Sequence, residues 1–217
     1  MIYYETHVTL EKGQVLTLIP WGDAQSVEEY DRLKSLMGWL HDRERLYNHQ
    51  VRLFGMGDYF EAPSPSDTAA LRSAKSGFGM YDDLQTALDE TYGERADEMA
   101  DILQPQAHNI VGMLTGHHFH HFSGLHKKYS KRITTDEYLA AQLGTKYFGD
   151  GSVVITFLIN DLPFIVFASH GYGSARTPGA RVTKRLRMRY VFGHSNCYVM
   201  GHYDENCVYR LEALQAD

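Results

Sequence analysis

Five apolar segments of this chain each end in a short loop that carries aspartate or histidine. The segments span residues 14–20, 51–56, 109–114, 164–168 and 197–200, and the residues that follow them are Asp23, Asp58, His117 with His118, His170, and His202 with Asp204. A single aspartate after a strand carries little information because aspartate is a common turn residue. Ligand sites of α/β proteins collect at the C-terminal ends of strands, so five such loops in succession predict a shared site.

Other periodic segments predict the elements around these strands. Helices are predicted at 27–43 after Ser26 as N-cap, at 81–103 before Pro105, at 135–143 closed by Gly144, and at 181–192. Further strands are predicted at 6–10, at 153–159 in a hairpin with 164–168 around Asn160 and Asp161, and at 208–213. For residues 64–76 a short helix and an irregular insertion both remain open. Helices and strands alternate early and strands cluster late, which predicts an α/β fold of two facing sheets flanked by helices.

Length and composition indicate an ordinary globular chain. With 217 residues, 43% hydrophobic and 22% charged, we expect a single domain over residues 1–217. The N-terminus has no basic region followed by an apolar stretch, and no segment reaches the roughly 18 apolar residues that a membrane span needs. We therefore expect a cytoplasmic protein without membrane partners.

The basic residues are unevenly distributed. A net charge of −6 argues against a general nucleic-acid binder, yet ten of the 21 lysines and arginines fall in two short segments. These two basic segments contain Lys127, Lys128, Lys131 and Arg132 in one, and Arg176, Arg181, Lys184, Arg185, Arg187 and Arg189 in the other. Two interpretations remain open. The basic segments could be solvated faces of helices or loops, or they could form a surface beside the site that attracts a polyanion.

The residue types at the strand ends point to metal chemistry. Carboxylates and imidazoles together suit two adjacent divalent cations. Such a pair can clamp a phosphoryl group and supply a hydroxide nucleophile near neutral pH.

The same loops resemble, in order, the motifs of the calcineurin-like metallophosphoesterases. The family pattern GDxH, GD, GNH, HG and GHxH is similar to Gly22-Asp23-Ala24-Gln25, Gly57-Asp58, Gly116-His117-His118, His170-Gly171 and Gly201-His202-Tyr203-Asp204. The sequence Arg176-Thr177-Pro178-Gly179, which follows the HG motif, resembles that of a subgroup common among phage-borne and bacterial members. The resemblance covers residues 14–204 and implies a four-layer αββα fold with two facing mixed sheets, a dinuclear metal centre and phosphoester hydrolysis.

Three positions depart from the family pattern. Gln25 and Asp204 stand where the family has histidine, and His117 stands where it has asparagine. Sorted by the family's two sites, the first metal would be held by Asp23, Gln25, Asp58 and Asp204, and the second by Asp58, His117, His170 and His202. The first set is all oxygen and favours Mg²⁺, Mn²⁺ or Ca²⁺, while the second is rich in imidazole and favours Zn²⁺, Fe or Mn²⁺. Because each replacement still offers a lone pair, we favour a retuned site over a lost one.

His118 matches the catalytic histidine of the family. The resemblance implies that it protonates the leaving oxygen or stabilises charge on the phosphoryl group. For the neighbouring His120 and His121 we expect exposure to solvent, with extra ligation or substrate contact as the alternative. Tyr59 and Tyr203 lie beside candidate ligands, but tyrosine is abundant here with 15 residues, so neither is assigned a role.

These features together predict a metal-dependent phosphoester hydrolase. The basic segments follow the His118 and His170 loops, which favours phosphodiester substrates, nucleic acid included, over small monoesters. The alternative is a binding or scaffold protein with weak or lost catalysis. A nucleic-acid binder without chemistry is a third possibility, which rests on the basic segments alone. The oligomeric state is not predicted.

Overall fold

The computed structural model describes residues 1–24, 26–62, 81–149, 151–171, 183, 186–190 and 192–202. The strands in this part are β1 (Ile2–Val8), β2 (Val15–Trp21), β3 (His49–Gly55), β4 (Ile110–Leu114), β5 (Tyr147–Gly149), β6 (Ser152–Ile159), β7 (Leu162–Ser169) and β8 (Cys197–Met200). The α-helices are α1 (Val27–Tyr47), α2 (Tyr81–Leu103) and α3 (Thr135–Gln142), and a 3₁₀-helix spans Gln104–Asn109.

The described strands form two four-stranded sheets. The first sheet has the order β1-β6-β7-β8, and the second has the order β2-β3-β4-β5. In the first sheet β6 and β7 are antiparallel, whereas β1 is parallel to β6 and β8 is parallel to β7. This sheet is therefore mixed, as predicted. All described pairs of the second sheet are parallel, so within the described residues this sheet is not mixed as predicted. Helices separate β2 from β3 and β4 from β5, and such crossovers return the chain in the same direction.

The two sheets pack face to face. One buried core draws side chains from both of them, including Phe54 and Leu114 of the second sheet and Ile155 and Val166 of the first. A separate core lies between the helices and the second sheet, where Leu40 and Met99 contact the β3 and β4 side chains. On the other side, Met188 of the helical residues 186–190 packs with residues of the first sheet. Apolar burial on both faces of each sheet therefore holds the layers together.

Local capping explains where the helices begin. Ser26 accepts a hydrogen bond from the Glu29 amide, and the Glu29 carboxylate accepts one from the Ser26 amide. This capping box satisfies amides that lack partners in the first turn. The predicted helix at 27–43 is confirmed and extends to Tyr47, where Asn48 in the left-handed region ends it. The helix at 81–103 is also confirmed, and the chain continues from it as the 3₁₀-helix that contains Pro105.

Several boundaries differ from the prediction. The first strand runs over Ile2–Val8 instead of 6–10, and the short edge strand β5 was not predicted. The hairpin of β6 and β7 around Asn160 and Asp161 is confirmed. Strand β8 is present at the predicted position and is half-buried, as the last strand of the first sheet among the described residues. Residues 64–76 and 208–213 and most of 181–192 lie outside the described residues. Among the described helices, none has the length and apolar character that crossing a bilayer requires.

Candidate metal centre

The two sheets bring their strand ends to one place. Asp23, Asp58 and the pair His117 and His118 follow β2, β3 and β4, which are parallel neighbours in the second sheet. His170 and His202 follow β7 and β8, which are parallel neighbours in the first. Parallel strands end at the same edge of a sheet, so each sheet presents its own group of polar side chains.

Four of these side chains form a compact group, which we call the His/Asp cluster. Asp58, His117, His170 and His202 each offer one ligand atom, and these atoms all lie within 4.8 Å of one another. Four ligands bound at about 2.1 Å in a tetrahedral set lie about 3.4 Å apart, so the widest allowed separation would contract by about 1.4 Å around an ion. These residues are the set assigned to the second metal from the sequence.

Glycines allow the loops to approach so closely. A side chain on Gly116 would place its first carbon 1.9 Å from Asp58 Oδ1. Gly57 has a φ of +98°, and an added carbon there would lie 2.8 Å from His170 Nδ1. Asp23, Asp58 and His202 also have positive φ angles, of 54°, 53° and 70°. Non-glycine residues in this region are enriched at functional sites, where the surrounding structure holds them in place.

The Asp58 carboxylate is held from two sides. Its Oδ1 accepts hydrogen bonds from the backbone amides of His117 at 2.6 Å and His118 at 2.8 Å. Its Oδ2 lies 3.3 Å from Nε2 of His170, and both side chains are almost fully buried. One oxygen therefore orients the carboxylate, and the other faces the imidazoles.

His170 carries its proton on the nitrogen that points away from the cluster. Nδ1 lies 2.7 Å from the Met56 carbonyl oxygen, which can only accept, so Nδ1 is the donor. The buried Nε2 makes no hydrogen bond of acceptable geometry with any described residue. A neutral imidazole whose outer N–H donates to a carbonyl is the usual arrangement of a metal-binding histidine. The cluster therefore fits a divalent cation.

His117 and His202 complete the cluster. Their Nδ1 atoms lie 3.2 Å apart, and their ring centroids are separated by 4.5 Å. The His170 ring lies 4.7 Å from that of His117 and 5.3 Å from that of His202. Three imidazoles in mutual contact would repel one another if all were protonated, so the arrangement disfavours three charged rings.

The charges in the cluster perturb one another. Burial raises the pKa of Asp58, but the close approach and charge of His170 and the hydrogen bond from the His118 amide outweigh it, so the net shift is downward. Burial lowers the pKa of His170, but Asp58 outweighs it and the pKa is raised. The pKa of His117 is lowered by burial and by the neighbouring histidines. His117 is thus neutral near pH 7 and can donate a lone pair.

Asp23 lies beside the cluster. Its Oδ2 accepts a hydrogen bond from the His202 amide at 3.2 Å, and burial raises the pKa of this carboxyl group. Of the set assigned to the first metal, Asp23 and Asp58 are therefore adjacent to the same imidazoles. Gln25 and Asp204, the other two members, lie outside the described residues.

His118 is separate from the His/Asp cluster. It is half-buried, and its Nδ1 donates to the Ala62 carbonyl oxygen at 2.8 Å, which leaves Nε2 as the basic nitrogen. This geometry is compatible with proton transfer at Nε2.

The expectation that His120 is exposed is wrong. His120 is completely buried, and its Nε2 lies 2.7 Å from Oδ1 of Asp89 on α2. Asp89 also accepts hydrogen bonds from the Ser123 amide and hydroxyl, so it fastens the β4–α3 loop (residues 115–134) to α2. His121 is exposed as expected. Tyr59 is buried and its hydroxyl donates to the Leu114 carbonyl oxygen at 2.6 Å, and Tyr203 lies outside the described residues.

Asp136 is a feature of the site that was missed from the sequence. This first-turn residue of α3 is completely buried and accepts a hydrogen bond from the Gly116 amide at 3.2 Å. Burial raises its pKa to about 8. The sequence Thr134-Thr135-Asp136-Glu137 indicates only a helix start, where aspartate is usually exposed.

Comparison of the chain with family models, with curated proteins and with solved structures gives no match. The resemblance to the metallophosphoesterases therefore rests on the ordered sequence motifs.

Proposed function

We propose that this protein is a metal-dependent phosphoester hydrolase of the calcineurin-like metallophosphoesterase type, which acts on phosphodiesters through a dinuclear centre. The observation that carries the proposal is the convergence of Asp58, His117, His170 and His202, with Asp23 beside them. This carboxylate and imidazole set comes from five separate strand ends, in the order that the family motifs require.

The layer order supports the same proposal. Helices α1, α2 and α3 cover the outer face of the second sheet, the two sheets face each other, and Met188 packs on the outer face of the first. This sequence of layers is compatible with the αββα fold that the resemblance implies.

Different residues of the chain would bind the metal ions and transfer the proton. Asp58, His117, His170 and His202 would hold one cation, and Asp23 and Asp58 would hold a second with Gln25 and Asp204. Such cations polarise a phosphoryl oxygen and lower the pKa of water. His118 would take up a proton at Nε2 and, as an imidazolium, would donate that proton to the leaving oxygen, because its Nδ1 is engaged with Ala62.

The preference for phosphodiesters rests on charge. Lys127, Lys131 and Arg132 are exposed on the β4–α3 loop, which also carries His117 and His118. Lys128 instead pairs with Asp97 at 2.6 Å. Exposed cations near a phosphoryl site raise the local concentration of a polyanionic substrate. Of the second basic segment, Arg187 and Arg189 are described, and both are exposed.

A metal survey tests the proposal. The full chain, stripped with chelator, is reloaded with Mn²⁺, Mg²⁺, Ca²⁺, Zn²⁺ or Fe²⁺ and assayed with an aryl phosphodiester and the matching monoester. We expect metal-dependent hydrolysis that is faster for the diester and is lost in His117→Ala. The matched control is His108→Ala, an exposed histidine in the 3₁₀-helix at the opposite end of β4.

Two outcomes would contradict the proposal. Tight metal binding without hydrolysis under any metal would favour a binding or scaffold protein, an alternative that the replaced family ligands Gln25, His117 and Asp204 already suggest. Failure of the wild-type chain to bind any of the metals would remove the metal centre itself.

A further inference from the structure

Asp136 lies directly behind the loop that presents two of the site histidines. Its Oδ2 accepts the Gly116 N–H at 3.2 Å, and its Oδ1 makes no hydrogen bond with any described residue. A buried carboxyl group with one unsatisfied oxygen is costly, so its retention calls for a compensating role.

Gly116 connects Asp136 to the His/Asp cluster. The next two amides along the chain, of His117 and His118, both donate to Asp58 Oδ1. Gly116 itself packs against that carboxylate, since an added side-chain carbon would lie 1.9 Å from the same oxygen. The position of the Gly116 peptide therefore sets where the His117 imidazole and the Asp58 carboxylate meet.

The first turn of α3 holds the following residues as well. The Thr135 hydroxyl accepts from the His120 amide at 3.1 Å, and the Thr135 amide donates to the His120 carbonyl oxygen at 2.9 Å. These contacts fix the loop beyond the site, whereas Asp136 contacts the residue next to His117. Among the described polar side chains of this turn, Asp136 is thus the one placed to act on the cluster.

We propose that Asp136 is a positioning residue, whose carboxyl oxygen holds the Gly116 amide so that His117 and Asp58 are preorganised for a metal ion. The part of this inference that concerns metal rests on the proposed function. The part that concerns the loop does not, because the Gly116 hydrogen bond joins two groups of the protein itself.

Paired variants separate this role from simple stabilisation. Asp136→Ala removes the acceptor, Asp136→Asn keeps an acceptor oxygen of the same shape, and Asp97→Ala removes a different carboxylate that joins α2 to Lys128, Tyr129 and Tyr138. Zn²⁺ and Co²⁺ affinities are measured on the full chain by competition with a chromophoric chelator. We expect Asp136→Ala to bind about 10- to 100-fold more weakly, as for other residues that orient ligands. Asp136→Asn and Asp97→Ala should stay within about threefold of wild type, a difference of roughly 0.7 kcal/mol.

A second measurement does not depend on metal. Hydrogen exchange of the Gly116 amide, followed by NMR in the metal-free chain, should be at least about tenfold faster in Asp136→Ala than in Asp136→Asn. If the alanine variant fails to fold, the comparison of Asp136→Asn with wild type still applies, and equal exchange and equal affinity are expected.

The outcomes are distinct from those of the proposed function. Unchanged affinity and unchanged Gly116 exchange in Asp136→Ala would overturn the inference, and so would an asparagine variant as impaired as the alanine variant. If wild type binds no metal, the proposed function fails, and the exchange measurement alone decides whether Asp136 positions the loop.

Discussion

His170 Nε2 lies 3.3 Å from Asp58 Oδ2, and the two residues follow strands of different sheets. This contact joins the edges of the sheets at the candidate metal centre. The carboxylate is also the acceptor for the His117 and His118 amides. Asp58 is therefore the residue on which most of the site geometry depends.

Replacement of Asp58 should remove more metal than replacement of Asp204. Asp58→Ala takes away a ligand of the His/Asp cluster, the proposed bridge to the first site and the acceptor of two amide hydrogen bonds. We expect loss of both metals in Asp58→Ala and loss chiefly of the first in Asp204→Ala, measured by elemental analysis of the purified chains. Equal losses in the two variants would show that Asp58 does not bridge.

His118→Ala should affect turnover without affecting metal content. The imidazole is outside the His/Asp cluster, and its Nδ1 is committed to Ala62. We expect hydrolysis to fall by about 100-fold or more, the range for general acid catalysis. Metal content, measured in parallel, should match wild type. A loss of metal would place His118 among the ligands instead.

The two metal sites should fill unequally. The His/Asp cluster has three imidazoles, which hold transition metals well, whereas the first set offers oxygen alone. We expect the purified protein to keep a transition metal at the cluster and to need added Mn²⁺ or Mg²⁺ for hydrolysis. Gln25→His combined with Asp204→His should restore tight double occupancy. Two zinc ions retained by unmodified protein through dialysis against chelator would contradict this prediction.

Asp136 should make the metal-free protein less stable as the pH rises. Its pKa is raised from 3.8 to about 8, so between these values the folded state binds a proton that the unfolded state has released. Stability then falls with increasing pH. The Tm of Asp136→Asn relative to wild type should therefore increase from about pH 4 to about pH 8, measured by thermal unfolding.

Asp97 serves as a control, because its contribution to stability should change with pH in the opposite direction. Burial raises the pKa of Asp97, but hydrogen bonds from Lys128, Tyr129 and Tyr138 outweigh it and the pKa is lowered. Its stabilising contribution is present above the unfolded pKa and is lost as the pH falls. The Tm of Asp97→Asn relative to wild type should hence decrease as the pH rises. The same trend in both variants would show that the difference does not come from these carboxyl groups.

Asp89→Ala should destabilise the fold strongly. The Asp89 carboxylate is completely buried and accepts from Gln85, His120 and both the amide and hydroxyl of Ser123. Removing one partner from a buried polar pair costs about 3–5 kcal/mol. Denaturant unfolding should show this loss, while Asp101→Ala, at an exposed position of α2, should change stability by less than about 0.5 kcal/mol. A small effect of Asp89→Ala would mean that the β4–α3 loop is held by other contacts.

Much of the fold was predictable because its signals are local. The Ser26 and Glu29 capping box, the 81–103 helix before Pro105 and the Asn160 and Asp161 turn depend on residues close in sequence. Strand β5 was missed because three residues at a sheet edge give no periodicity, and their pairing with β4 is non-local.

The candidate site was also predictable only in part. The order of apolar segments, each followed by Asp58, His117, His170 or His202, determined which side chains could meet, because parallel strands end at a common edge. The burial of His120 and Asp136 was decided by tertiary structure, since it results from the packing of α2 and α3 against the β4–α3 loop. A residue's type and its neighbours in sequence set its local conformation, but the solvent around it is removed by segments far away in the chain.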